Sequence, residues 1–283
     1  MLTFFTIPKA FSGHSNVIQR NAIQSWLQVP TCEIILFGDD AGILEAAKEF
    51  GVAHIPEIEK NEFGTPLLDS AFTIAQRRAA YDILVYINTD IIVTSDFIKA
   101  VHAIPLPLFL GSGRRWDLDI TEELDFSDVD WEKNLKARIA SKGRLHGFSG
   151  IDYFIFPRNF HHELPAFAVG RPGWDNWLIY HTRSLKIPVI DATEEITIVH
   201  QSHDYSHSPY GRKKRVEGPE AKRNFELAGG FSHMMTLRDA DFILTLEGVK
   251  KPPFFRGILA KLSLLPMWRL LFSMKRRLQN HLK

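Results

Sequence analysis

Five consecutive apolar residues, Ile83-Leu84-Val85-Tyr86-Ile87, end abruptly in Asn88-Thr89-Asp90. A short run without alternation reads as a strand covered on both faces, as strands of parallel sheets are. Leu2–Thr6 and Glu33–Phe37 are similar runs, the second ending in Gly38-Asp39-Asp40, and His54–Ile58 is a shorter third. Helical spacing falls between them. Val17, Ile18, Ile23, Trp26 and Leu27 mark a helix over Asn16–Leu27, Ile43–Phe50 is stopped by Gly51, and Leu67–Tyr81 carries Arg77 and Arg78 near its end. The alternation predicts an α/β fold with a mostly parallel, doubly wound sheet. Such sheets bind ligands beyond the carboxyl ends of their strands. Asp39, Asp40, Asn88 and Asp90 all fall there.

The second half is less regular. Phe109–Arg115, Tyr153–Phe156 and Glu195–Val199 read as strands, and Val129–Ser141 and Trp174–Leu185 as helices. Charge divides the chain further. The 283 residues carry a net +1, but Lys250–Lys283 holds nine Lys and Arg and no acid. Residues 1–249 hold 25 basic against 33 acidic side chains, a net of −8. We therefore expect an acidic domain over 1–249 and a basic helical tail over 250–283, with Lys250–Pro253 as linker. A chain 45% hydrophobic and 24% charged is neither disordered, collagen-like nor polytopic in a membrane. Cys32 is the only cysteine, which excludes an intrachain disulfide and reads as a small hydrophobe. Met1–Ile7 runs straight into Pro8-Lys9, unlike a signal peptide. The expected location is cytoplasmic, or peripheral on the cytosolic face of a membrane.

Three constellations point to chemistry. Asn88-Thr89-Asp90 brings two oxygen donors, two residues apart, to a strand end. A divalent cation shared with a diphosphate needs few hard protein ligands, although Asn and Asp are also common in plain turns. His200-Gln201-Ser202-His203-Asp204-Tyr205-Ser206-His207 places three histidines at another strand end. His200, next to Val199, is the better metal ligand, and His203 and His207 read as a polar surface loop. Gly170-Arg171-Pro172-Gly173-Trp174-Asp175-Asn176-Trp177 puts Asp175 at a helix start, as general base for an acceptor hydroxyl or as an N-cap. Trp174 and Trp177 there stack on a sugar or belong to the core. Weaker candidates follow. Asn61–Pro66, with Thr65, offers backbone N–H groups to a phosphate or is an ordinary loop. Gly111–Asp117, with Arg115 and Asp117, holds a phosphate or the acceptor. Asp152 in Gly150-Ile151-Asp152 sits near a sugar hydroxyl or in a surface turn.

Their order resembles the GT-A-fold nucleotide-sugar glycosyltransferases, most nearly the family 2-like branch, over roughly residues 1 to 245. The resemblance implies one Rossmann-like domain with an acceptor-binding second half. The family's metal-binding Asp-x-Asp motif reads Asn88-Thr89-Asp90 here, with Asn88 replacing the first acid. The nucleoside-contacting acid matches Asp39 or Asp40, and the loop against the base matches Thr6-Ile7-Pro8. The catalytic acid matches Asp175, with Asn176 where a second acid often stands, and the late metal-ligating histidine matches His200.

The function expected is glycosyl transfer, of hexosyltransferase type, from a nucleotide-diphosphate sugar to a hydroxyl acceptor. Mn²⁺ or Mg²⁺ at Asp90 and His200 neutralises the leaving diphosphate, and a base opposite the leaving group implies inversion. The alternatives are a nucleotidyltransferase, for which Pro8–Gly13 is a poor phosphate loop, and a non-catalytic nucleotide-sugar binding module. A hydrolase built on His200, His203 and Asp204 ranks below both. In the tail, Ile258–Leu265 is largely apolar, and Pro266 opens a second helix with Trp268, Leu271, Phe272, Leu278 and Leu282 on one face. Residues 254–283 read as an interfacial anchor on anionic lipid, or as a helix packed on the body or in a homodimer interface. Nucleic acid is not an expected partner.

Overall fold

The computed structural model describes residues 1–160, 163–201 and 217–265. His203, Asp204, His207, and the helix expected from Pro266 lie outside them.

Apolar runs bounded by turn residues become strands: β1 (Leu2–Thr6), β2 (Cys32–Phe37), β3 (Ala53–Ile55) and β4 (Ile83–Ile87). Between them lie α1 (Gly13–Leu27), α2 (Ile43–Phe50) and α3 (Leu68–Arg78). These strands pair in parallel, β4 to β1, β1 to β2 and β2 to β3. Next come β5 (Ile91–Val93), α4 (Asp96–His102), β6 (Leu110–Ser112), β7 (Trp116–Leu118), α5 (Trp131–Lys142), β8 (Arg144–Leu145) and β9 (Tyr153–Pro157). Then follow α6 (Trp174–Ser184), β10 (Val189–Asp191), β11 (Ile198–Gln201), α7 (Pro219–Leu227), β12 (Phe242–Thr245), β13 (Gly248–Lys250) and α8 (Phe254–Leu262).

The main sheet has nine strands in the order β13-β12-β10-β6-β9-β4-β1-β2-β3. It is mostly parallel. Within it β9 runs antiparallel to both β4 and β6, and β13 antiparallel to β12. Successive residues of β1, β4 and β9 enter opposite cores. Phe5, Leu84, Tyr86, Phe154 and Phe156 meet α3 and α6 on one face. Phe4, Val85, Ile87, Tyr153 and Ile155 meet α1, α2 and α4 on the other. Helices on both faces explain why the strands lack alternation.

A second sheet, β5-β11-β7-β8, was not read from the sequence. The run expected over Phe109–Arg115 divides. Leu110–Ser112 stays in the main sheet, and the chain then crosses to Trp116–Leu118 in the second. Gly113 marks the break, where a Cβ would stand 2.5 Å from the Tyr153 hydroxyl. The strand expected over Glu195–Val199 is shifted to Ile198–Gln201, so His200 lies inside β11, opposite Asp117 of β7 and Ile91 of β5.

The region between body and tail is packed. β13 crosses residues 249–250 at the sheet edge. In α8, Arg256 and Ala260 share the inward face with Ser263 just beyond it. Arg256 donates to Asp191 at 2.7 Å, Ala260 is buried, and Ser263 Oγ accepts from Arg183 at 3.2 Å. The outward side carries Phe254, Phe255, Ile258 and Leu259, with Phe254 75% and Phe255 81% exposed. Among the described residues, no helix is long and apolar enough to cross a membrane.

Candidate functional site

The site grows from the ends of β1 and β4. Thr6 and Thr89 share a hydroxyl hydrogen bond of 3.0 Å. The turn from β4 to β5 is pinned from behind. The Asp90 carbonyl accepts the Gln201 backbone N–H at 3.1 Å, and the Ile91 carbonyl accepts the Trp26 indole at 2.9 Å. The Gln201 side chain is held by Asn21 at 2.9 Å and by the Ile18 carbonyl at 2.8 Å. With its backbone fixed, Asp90 puts a carboxylate oxygen 3.5 Å from His200 Nε2.

Asn88 is already committed. Its Nδ2 donates to Asp152 Oδ1 at 2.9 Å, and its Oδ1 accepts from the Tyr86 hydroxyl at 3.3 Å. The other Asp152 oxygen receives Arg115 Nη1 at 2.6 Å, and Arg115 Nε reaches Asp117 at 3.0 Å. Asp117 also accepts from Arg144 at 3.0 Å and pairs with His146 Nδ1 at 2.8 Å. His200 Nδ1 lies 3.8 Å from Asp117. Asn88, Asp90, Arg115, Asp117, Asp152 and His200 thus form one network, drawn from both sheets.

Charges in it bias one another. Burial opposes the His200 imidazolium, but Asp90 and Asp152 outweigh it, so the pKa is raised. Burial likewise opposes the Arg115 charge, and Asp152, Asp117 and Asp90 more than compensate. Burial pushes Asp117 up, yet His146 and Arg115 hold it below the ordinary carboxylate value.

Asp175 has a different environment. It lies in the first turn of α6, whose cap Gly173 adopts φ 105°, and its Oδ1 accepts the Asn176 N–H at 2.9 Å. Burial first, then repulsion from Asp152, pushes its carboxyl up to about 6. Burial raises the Tyr86 phenol, and Asp90, Asp152 and Asp175 all push the same way. One phenol therefore feels the carboxylates of both halves of the site. Asn176 is tied down separately. Its Nδ2 donates to the Met235 carbonyl at 2.8 Å, and its own carbonyl accepts the Met235 N–H at 3.0 Å.

Other sequence candidates stand apart from this network. Trp174 is a core residue, packed edge-on against Tyr86 with centroids 5.1 Å apart, and Trp177 is buried against Phe167. Pro8 is buried, and Asp39 and Asp40 are exposed beyond β2, Asp39 paired with Lys60. The loop at Thr65 closes on itself, since Asn61 Oδ1 accepts the N–H groups of both Phe63 (2.9 Å) and Thr65 (3.0 Å). Sequence reasoning missed His146, Arg144 and Tyr86. Arg144 and His146 come from the short β8 edge, whose only sequence signal is Arg-x-His after Gly143.

Asp90 and His200 provide a carboxylate oxygen and an imidazole nitrogen side by side, donors that a divalent cation can use. Among the described residues, no group of three or more His, Cys, Asp or Glu is arranged to hold a metal by itself. The pair fits a cation whose remaining positions are filled by phosphate oxygens and water.

No protein-family model and no curated protein matches the chain. Solved structures do. A mannosyltransferase from Pyrobaculum calidifontis, in complex with GDP-Man and Mn²⁺, is 16% identical, with TM-score 0.48 over 97% of this chain and 73% of that one. Glucosyl-3-phosphoglycerate synthase from Mycobacterium tuberculosis, in complex with Mn²⁺, UDP and phosphoglyceric acid, is 12% identical, with TM-score 0.47 over 81% of this chain and 79% of that one. At these identities the likeness assigns no residue a role.

Proposed function

We propose that this chain transfers a hexose from a nucleotide-diphosphate sugar to a hydroxyl acceptor. The observation that carries the reading is the pair of contrasted carboxylates, Asp90 beyond β4 and Asp175 at the start of α6, that both act on the Tyr86 phenol. Asp175 is pushed up to about 6 by burial, while Asp90 lies against His200. Carboxylates whose environments differ in this way take different roles. As a base, Asp175 takes the acceptor's hydroxyl proton. The acceptor oxygen then bonds to the anomeric carbon as the bond to the diphosphate oxygen breaks, and the diphosphate leaves with the electron pair. Attack from the face opposite the leaving group inverts that carbon.

Asp90 and His200 would hold the divalent cation, Mn²⁺ or Mg²⁺, which would supply positive charge to the diphosphate. Arg115, Asp117 and Asp152 form the polar wall that orients the sugar and acceptor. Thr6, Pro8, Asp39 and Asp40, at the ends of β1 and β2, take the nucleoside. Asn88 positions Asp152 through its Nδ2, and its Oδ1, which accepts from Tyr86 at 3.3 Å, keeps a second lone pair for the cation.

We further propose that residues 250–283 act as a distinct basic segment that holds the acidic body against an anionic membrane surface on the cytosolic side. The outward phenylalanines of α8 support this. A second copy of the chain is the alternative occupant of that face.

A thermal-shift panel of UDP-, GDP-, CMP- and dTDP-sugars, with and without Mn²⁺, tests the central reading. Stabilisation by sugars of one nucleotide, enhanced by Mn²⁺, is the expected result. No shift with any donor overturns it.

A further inference from the structure

Phe148, half-buried in the loop after β8, carries three guanidinium groups around its ring. Arg114 Cζ lies 4.7 Å from the ring centroid, and those of Arg238 and Arg256 each lie 5.2 Å from it. They come from three distant segments: the link from β6 to β7, the 3₁₀ turn Leu237–Asp239, and α8. Each gains from the face of the ring, yet three like charges around one ring repel one another. Only Arg256 has a carboxylate partner, Asp191 at 2.7 Å. Among the described residues neither Arg114 nor Arg238 forms an ion pair, and Arg238 is exposed. Arg114 spends its Nε on the His146 carbonyl at 2.6 Å. The cluster therefore holds about two uncompensated positive charges.

It also adjoins the proposed site on two sides. Arg114 precedes Arg115, which bonds Asp152 at 2.6 Å. The Phe148 carbonyl accepts the Leu237 N–H at 3.1 Å, and Met235, two residues earlier, is bonded to Asn176 beside Asp175. The arginine cluster is thus tied to the start of α6, where Asp175 stands, by the Phe148–Leu237 and Met235–Asn176 bonds.

We propose that Arg114 and Arg238, held around Phe148 with the structural Arg256, bind the phosphate of a phosphate-bearing acceptor whose hydroxyl reacts at Asp175. The inference rests on the glycosyl-transfer reading above. A phosphomonoester carries nearly two negative charges and several strong acceptor oxygens at neutral pH, matching the uncompensated charge. Guanidinium groups suit it geometrically as well.

The test is calorimetric titration of the full chain with inorganic phosphate, glycerol 3-phosphate and glycerol. Both phosphates are expected to bind and glycerol is not. Arg238→Gln should weaken glycerol 3-phosphate roughly tenfold, about 1.4 kcal/mol, with little change in melting temperature because the side chain is exposed. Arg114→Gln should weaken it similarly. Sedimentation with phosphatidylcholine vesicles, with and without phosphatidic acid, separates the sources of the phosphate. Loss of phosphatidic-acid-dependent binding in Arg238→Gln assigns a lipid headgroup, and retention, with glycerol 3-phosphate binding lost, assigns a soluble ester. Equal glycerol 3-phosphate binding by the wild type and both variants overturns the proposal. Displacement of glycerol 3-phosphate by the donor nucleotide also overturns it, because the cluster would then serve the donor's diphosphate. The donor thermal-shift panel does not depend on Arg238. Its failure sinks the transfer reading, whereas a normal panel with unchanged phosphate binding sinks only this one.

Discussion

A carboxyl held near pH 6 by burial is a base at neutral pH and a stability burden at the same time. Asp175→Asn keeps the shape and removes the proton acceptor, so turnover should fall by about 10²–10⁴ while donor binding persists. Normal turnover in the variant would remove the base assignment. In the wild type, kcat/KM should rise with pH through about 6 and then level off, since the ionised form is the active one. The stability effect has the opposite sense. A carboxyl whose pKa is raised on folding costs nothing below its unfolded value, and destabilises increasingly as pH climbs from there through its folded value, above which the cost is constant. Asp175→Asn should therefore stabilise the protein by on the order of 1–3 kcal/mol at pH 8, and the gain should vanish by about pH 4. Chemical denaturation at the two pH values checks it. Asn88 makes the converse point. An acid at that position would face Asp152 Oδ1, which now receives the Asn88 amide at 2.9 Å. Asn88→Asp should cost about 1–3 kcal/mol at neutral pH, measured in urea. A neutral or stabilising result would mean that a bound cation, not Asp152, governs this position.

Asp175 depends on the start of α6. Gly173 caps that helix in the left-handed region, and a Cβ there would lie 3.0 Å from Met234 Cε. Gly173→Ala should destabilise by about 1–2 kcal/mol and lower kcat more than it raises KM, through displacement of Asp175. Unchanged kinetics would show that the helix start tolerates the shift. The Gly-Arg-Pro-Gly turn that opens this helix was legible in the sequence, as were β1, α2 and β4, because apolar runs between turn residues leave little choice. The second sheet was not legible. β5 is only Ile91–Val93, and β7 carries Asp117 where an apolar residue would be expected. Short strands that offer polar side chains to a cleft lack the periodicity that marks longer ones. The same property hid part of the site. Asp90, Arg115, Asp117, Asp152 and His200 stand out individually by chemistry and strand-end position. The contact of Asp117 with His146, 29 residues later, is created only by pairing across β7 and β8.

At the scale of the molecule, the charge division and the packing of α8 must be read together. A body of net −8 is repelled by an anionic surface, so attachment requires both the basic tail and apolar insertion. The structure also decides how that can be tested. Cutting the chain before residue 254 would remove Arg256 from the buried Asp191, leaving an unpaired charge that costs about 3–5 kcal/mol. Lost vesicle binding would then report misfolding. Phe254→Ser combined with Phe255→Ser avoids this, because both rings are largely exposed and Arg256 keeps its partner. The double variant should melt like the wild type yet lose most co-sedimentation with phosphatidylserine vesicles. Wild-type binding should itself decline steeply between 0.1 and 1 M salt, as the screening length shrinks from about 10 Å to about 3 Å. Undiminished sedimentation of the double variant would refute membrane attachment through α8. A change in oligomeric state in its place, read by light scattering, would make this face a contact between two copies of the chain. Either result leaves Arg256 inside the fold, so the tail, with its nine Lys and Arg and no acid, is also tied to the wall of the proposed acceptor site.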